Sequence, residues 1–109
     1  MPYTLMWSPV DQVQIQAEFM TLLNDPNPTV GNDAAQLVLG LRRLAQQTNS
    51  TPAGGPQLYG YVYPSGGLCA AYYAYESNNG PRIYVVGFCR SADRFRFRQT
   101  AQNRLRNVP

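Results

Sequence analysis

The spacing of apolar positions changes period along the chain. Tyr3 to Trp7 is a short run of β-formers and predicts a first strand. Ser8-Pro9 then opens a helix, with Ser8 as N-cap, Pro9 at the first helical position and Asp11 in the first turn. That helix is expected to run to about Leu23. Val13, Ala17 and Met20 recur at helical spacing and form its inward row, with Phe19 and Leu23 widening the stripe. The segment Asn24 to Pro28 carries two prolines and stops it. A second helix fits Asp33 to Gln47, with Asn32 as N-cap. Val38, Leu41 and Ala45 make its inward row, Leu37 and Leu44 flank it, and Arg42 and Arg43 face solvent. Gly40 is the expected point of close helix approach. Two amphipathic helices joined by a short connection imply an antiparallel hairpin.

Thr48 to Gln57 is a polar loop rich in glycine and proline. Strand spacing then returns in Leu58 to Tyr63, Leu68 to Glu76 and Arg82 to Phe88. Turns at Pro64 to Gly67 and Ser77 to Gly80 separate them, the second with the Asn-Gly pair of tight hairpins. Three strands so joined make an antiparallel meander. In the tail, Arg94-Phe95-Arg96-Phe97-Arg98 alternates as a strand would. Ser91 as N-cap, Asp93 in a first turn, and Phe97, Ala101 and Leu105 at helical spacing favour a helix from about Ala92 to Arg106. The expected fold is α+β, a single domain over residues 1–109: a short first strand, a helical hairpin, the meander and a basic C-terminal helix.

Composition narrows the function. The chain has 109 residues, 44% hydrophobic and 14% charged, enough to bury a core. No apolar run reaches the roughly 18–20 residues of a membrane span, and Met1 to Met6 lack the charge and apolar stretch of a secretory signal. A cytoplasmic protein without a membrane role is expected. All nine cations are arginines, which coding bias toward Arg also explains, but their placement is uneven. Arg90, Arg94, Arg96, Arg98, Arg104 and Arg106 crowd the C-terminal segment and make it locally basic.

The chain has no histidine, so Ser-His-Asp and Cys-His catalysis and histidine metal sites are excluded. No metal set and no cofactor motif follows from what remains. The six acids are dispersed; Asp11, Asp33 and Asp93 fit places near helix starts, and Glu76 a solvated strand end. Seven of the eight tyrosines lie between Tyr59 and Tyr84. Strand alternation puts Tyr59, Tyr61 and Tyr63 on one face, and Tyr73 and Tyr75 on a stripe with Cys69 and Ala71. Tyrosine combines a stacking face with a polar tip, which suits bases or a protein partner; it is also a good strand former that packs under helices. If Ser77 stands opposite Pro81, Cys69 faces Cys89, and a register one residue different puts them on opposite faces. Reduced core thiols and a redox pair are the two readings.

The order strand, helix, helix, three-stranded meander, basic C-terminal segment resembles the RelE/ParE superfamily of toxins from bacterial toxin–antitoxin pairs. The residues that carry the resemblance are Tyr3-Thr-Leu-Met-Trp-Ser-Pro9, the strand Gly67-Leu-Cys-Ala-Ala-Tyr72, and Val85-Val-Gly-Phe-Cys-Arg90 with the segment after it. The resemblance implies a small acidic antitoxin-like partner, and RNA, the ribosome or a topoisomerase as target. Its ribonuclease members carry an arginine where this chain has Cys69, and another where it has Phe88-Cys89 before Arg90. A tyrosine of their C-terminal segment corresponds to Phe95. The resemblance therefore implies a domain that acts mainly by binding. Arg90, Arg94, Arg98, Tyr73 and Tyr75 are the candidate contacts for nucleic acid or partner. Arg90, Tyr73 and Tyr75 are the candidates for catalysis if an endoribonuclease site has relocated. An unrelated protein-interaction module is the third reading.

Overall fold

The structure, a computed structural model, describes residues 3–47, 58–62, 67–76 and 81–108, without the side chains of 58–62 and 76. The expected loop at 48–57, positions 64–66 of the first meander turn and the whole of the second lie outside the described residues, as do Tyr63 and the side chains of Tyr59, Tyr61 and Glu76. The chain forms strand β1 (Thr4–Trp7), helices α1 (Gln12–Leu23) and α2 (Pro28–Gln47), and strands β2 (Leu58–Val62), β3 (Cys69–Glu76) and β4 (Arg82–Arg90). A 3-10 turn (Ser91–Asp93) and helix α3 (Arg94–Leu105) follow. The fold is α+β, as expected. The sheet is mixed, with strand order β1-β4-β3-β2. Strands β2, β3 and β4 are antiparallel neighbours, and β1 lies parallel to β4 at the edge.

Helices cover both faces of the sheet. On one face, Cys69, Ala71, Tyr73 and Tyr75 of β3 and Ile83, Val85 and Phe88 of β4 pack against the α1–α2 hairpin. On the other, Ala70, Tyr72, Val86 and Cys89 pack against Ala101, Phe97 and Val108 of the C-terminal segment. The tail is thus a helix, as its Phe97–Ala101 spacing predicts. It lies over a sheet face.

Five expectations about the hairpin change, three of them at the helix starts and the inward face of α1. Ser8 is not a helix cap. Its backbone N–H donates to the Val85 carbonyl at 3.0 Å and extends the β1 ladder, its hydroxyl is buried with no hydrogen-bond partner among the described residues, and α1 begins four residues later. The inward row of α1 is then Ile15, Phe19 and Leu22, not Val13, Ala17 and Met20. Val13 is 77% exposed and Met20 53%. Ile, Phe and Leu bury more apolar area than Val, Ala and Met, so the larger row wins the core. Finally, Pro28 starts α2 instead of ending the connection. Asn27 accepts the Thr29 N–H at 3.1 Å on its side-chain oxygen, with proline at the first helical position.

In α2, Leu37, Leu41 and Ala45 are buried and Val38 packs partly against the core, as expected. Asp33 departs from its expected role near a helix start. It is buried inside α2 and accepts the Cys69 backbone N–H at 2.6 Å, tying α2 to the head of β3. The tight helix approach is at Gly31, not Gly40: a Cβ at 31 would stand 2.8 Å from the Leu23 carbonyl oxygen.

The β3–β4 register explains the cysteines. From the turn as far as Tyr73↔Val85, the pairing is the one that would set Cys69 against Cys89. A bulge at Val86 then adds one residue to β4, so Tyr72 pairs Gly87, Ala70 pairs Cys89 and Cys69 pairs Arg90. The two thiols lie on opposite faces of the sheet, in separate clusters. This fold cannot join them, so they are not a redox pair.

Candidate functional site

Strand β1 ends where β4 still has its second half to run. Among the described residues, the stretch Val86 to Arg90 therefore has no strand on that side, and side chains from two helices complete it. Glu18 of α1 accepts the Phe88 backbone N–H at 3.2 Å. Arg104 of α3 donates to the Val86 carbonyl at 3.0 Å. The two side chains also meet each other in a two-pronged ion pair, with Nη1 to Oε1 at 2.9 Å and Nη2 to Oε2 at 2.7 Å. Arg104 stacks on the Phe97 ring, 5.6 Å from its centroid. The backbone leaves room for this because residue 87 is glycine: a Cβ there would lie 2.5 Å from the Phe97 ring and 3.1 Å from Arg104 Nη1. One pair of side chains thus closes the open strand edge and joins α1, β4 and α3.

Beside this clamp is a cleft of about 460 Å³, walled by Ala17, Thr21 and Leu22 of α1, by Cys89 and Arg90 at the end of β4, and by Asp93. Arg90 is the one sequence-predicted site residue that lines it. Its guanidinium is ion-paired with Asp25 in the α1–α2 connection. The hydrogen bond from Arg90, joined by one from the Asn27 N–H, holds the Asp25 carboxyl below its ordinary range, and the same pairing raises the Arg90 guanidinium. Asp93 pairs with Arg96 at 2.6 Å. Each carboxylate along the cleft, Glu18, Asp25 and Asp93, is therefore held by an arginine. Among the described residues, no group of three or more Cys, Asp or Glu is placed to hold a metal ion.

The other predicted residues separate. Tyr73 and Tyr75 are buried under the helical hairpin, 7% and 8% exposed, with Tyr75 edge-on to Tyr3 at 5.6 Å. They share a stripe with Cys69 and Ala71, as alternation predicts, on the face of the sheet opposite α3. Arg94 and Arg98 are on α3. The tyrosine that meets them is Tyr72. Its hydroxyl donates to the Arg94 carbonyl at 2.8 Å and its ring packs on Phe97 at 5.8 Å. Burial raises the Tyr72 hydroxyl above its usual value, the nearby Cys89 adds to the rise, and Arg94 and Arg98 oppose it. Strand alternation alone would have found Tyr72, since the neighbour of Tyr73 must face the other way; what was missing was a helix on that side. Around Tyr72, Arg94 lies over the Phe95 ring at 5.5 Å, Phe95 itself is 79% exposed, and Arg98 faces solvent.

The cysteines are poor nucleophiles. Burial, reinforced by Asp33, pushes the Cys69 thiol up to about 11; burial, reinforced by Asp93, pushes Cys89 up to about 12. The thiolate is the reactive form, and a rise of two units leaves about 100-fold less of it at neutral pH. Both thiols are expected to react with an aromatic disulfide reagent at least about 100-fold more slowly in the folded protein than in denaturant. The folded state holds these protons above pH 9, where the unfolded chain releases them. Stability should accordingly fall as pH rises from about 9 toward 11 to 12. Urea titrations across that range, with a Cys69→Ser, Cys89→Ser control, check the slope.

No family model, no curated protein and no solved structure matches the chain. No helix among the described residues is long and apolar enough to cross a membrane.

Proposed function

We propose that this chain is a RelE/ParE-like domain that acts by binding, and that its contact surface is the outer side of α3. The observation that carries the reading is the group Arg94, Phe95 and Arg98, with Phe95 and Arg98 exposed and Arg94 half-buried: an aromatic ring and two cations on one short stretch of helix. Arginine beside an aromatic face suits the carboxylates of an acidic protein or the phosphates of RNA. The element order supports the family reading: a strand, two helices, three antiparallel strands and a basic helix. Binding is favoured over cleavage because Arg90 is ion-paired with Asp25, while Tyr73 and Tyr75 are buried on the far side of the sheet. With both sheet faces covered, an antitoxin-like partner would engage α3 rather than the open sheet. A small acidic helical protein encoded beside this chain is the first ligand to test, and RNA the second.

Replacing Arg94, Phe95 and Arg98 together by Ala should leave the fold intact, since Phe95 and Arg98 are exposed and the bond from Tyr72 is to the backbone carbonyl of residue 94. It should weaken binding at least about tenfold, in line with the loss of aromatic and arginine contacts from an interface. If phosphates are contacted, the slope of log affinity against log salt should drop by about 2. Arg90→Ala should change binding little. Isothermal titration with the neighbouring acidic protein, and fluorescence anisotropy with labelled RNA, read these effects. Cleavage of the labelled RNA, or unchanged binding by the triple variant, would overturn the reading.

A further inference from the structure

Helix α1 is apolar on two opposite sides. Ile15, Phe19 and Leu22 face the core. Diametrically opposite, Val13 and Met20 stand 77% and 53% exposed, and Ala17 between them is also exposed. Val10, 67% exposed, lies in the turn just before the helix, and Leu23, 38% exposed, lies beside the row at the C-terminal end. Positions 13, 17 and 20 are spaced four and three apart, the repeat with which one helix seats against another. A surface helix ordinarily turns a charged or polar face to water. Here the residues flanking the row are Gln12, Gln14, Gln16, Thr21 and Asn24, and none is charged. The Thr21 hydroxyl is bonded back to the Ala17 carbonyl at 2.8 Å, so this flank has little need of water. The helix's one acid, Glu18, points away from the row into the Arg104 clamp.

We infer that this face of α1 is a dimer interface, and that its occupant is the same face of a second copy of this chain. Three features select a second copy. The row itself is uncharged, and the charges of the adjoining cleft that Ala17 also lines are paired with one another, so the face offers little to complement an acidic or basic partner and little that repels itself. The row is also self-matched: in an antiparallel pair whose two-fold axis passes between Gln16 and Ala17, Val13 of each copy meets Met20 of the other. The smallest side chain then lies at the crossing point, where two helices approach most closely. Size sets the strength. A 12-residue helix is about 18 Å long, and two such faces bury no more than the ~1,200 Å² at the low end of stable interfaces. The dimer is therefore expected to dissociate in the micromolar range, about 1–100 µM.

Sedimentation velocity on the full chain from about 2 to 500 µM, spanning that range, should show the mass rising from 12.2 kDa toward twice that value. Val13→Glu sets an unpaired carboxylate against an apolar partner and should raise the dissociation constant at least tenfold. Position 13 is so exposed that the circular dichroism spectrum and melting temperature should not change. Met20→Lys alone should do the same. Combining Val13→Glu and Met20→Lys in one chain places opposite charges across the interface at both symmetry-related positions and should recover most of the association. A protein that stays monomeric throughout, a dimer indifferent to Val13→Glu, or a double variant no better than the singles would each overturn the proposal.

Discussion

Replacing Arg104 by Ala is expected to cost about 2–3 kcal/mol of unfolding free energy, a large effect for a residue on a helix of otherwise polar composition. Arg104 and Glu18 are mostly buried, with side chains 12% and 24% exposed. Removing one partner leaves the other desolvated and unpaired, which costs about 3–5 kcal/mol when burial is complete. Glu18 keeps some access to water, which lowers the figure. Loss of the bond to the Val86 carbonyl acts in the same direction, because that oxygen is on the open edge of β4. Arg104→Lys should recover little, since an ammonium cannot serve two carboxylate oxygens and a carbonyl in one plane. Chemical denaturation of both single variants and of Glu18→Ala/Arg104→Ala gives the coupling. The double variant should be at least about 1 kcal/mol more stable than the sum of the single losses predicts. Hydrogen exchange along α3 should rise in the Arg104 variant. A loss below about 0.5 kcal/mol, the range of an ordinary surface substitution, would mean that the clamp is ornamental.

That clamp was not visible from the chain alone, and the reason is physical. Glu18 and Arg104 are 86 residues apart, and each reads locally as a solvated helix charge. Their meeting depends on β1 being too short to cover β4, and on α1 turning its Ile15 face inward. Local signals did specify the order of elements, because turn residues and the two periodicities act over a few residues. The helical tail, the Arg42–Arg43 solvent face and the Tyr73–Tyr75 stripe were all legible on those terms. The inward face of α1 was ambiguous because the helix carries two apolar rows. The sequence offers no rule for choosing between them until Trp7 and Phe88 are in place to receive Phe19. The cysteine register failed at a single residue, Val86, and a bulge leaves no reliable mark in composition. Of the candidate contacts, Arg94 and Arg98 come together beside an aromatic group. Its members are Tyr72 and Phe95, in place of the tyrosines one and three residues further along β3.

The largest single loss is expected at Phe88. Its ring meets Trp7 at 5.6 Å and Phe19 at 5.1 Å, and these three side chains join β1, α1 and β4 beyond the end of the β1 ladder. Phe88 is 2% exposed. It also stands between two spaces: the cleft beside Arg90, and a smaller apolar pocket of about 140 Å³ bounded by Leu5, Trp7, Val38 and Leu41. In Phe88→Ala the vacated volume connects the two and admits water, so collapse of the surroundings cannot offset the loss. The expected cost is about 3–5 kcal/mol, which consumes much of the roughly 5–15 kcal/mol available to a typical domain. Trp7 is the only tryptophan in the chain, so its emission reports on this site. Phe88→Ala should shift that emission to the red in the folded state and lower the denaturation midpoint. Phe88→Leu refills most of the space and should lose less than half as much stability. Equal losses in the two variants would show that ring stacking, rather than volume, secures this junction. A loss under about 1.5 kcal/mol for Phe88→Ala, well short of a buried aromatic truncation, would show that the Trp7–Phe19 contact holds it alone.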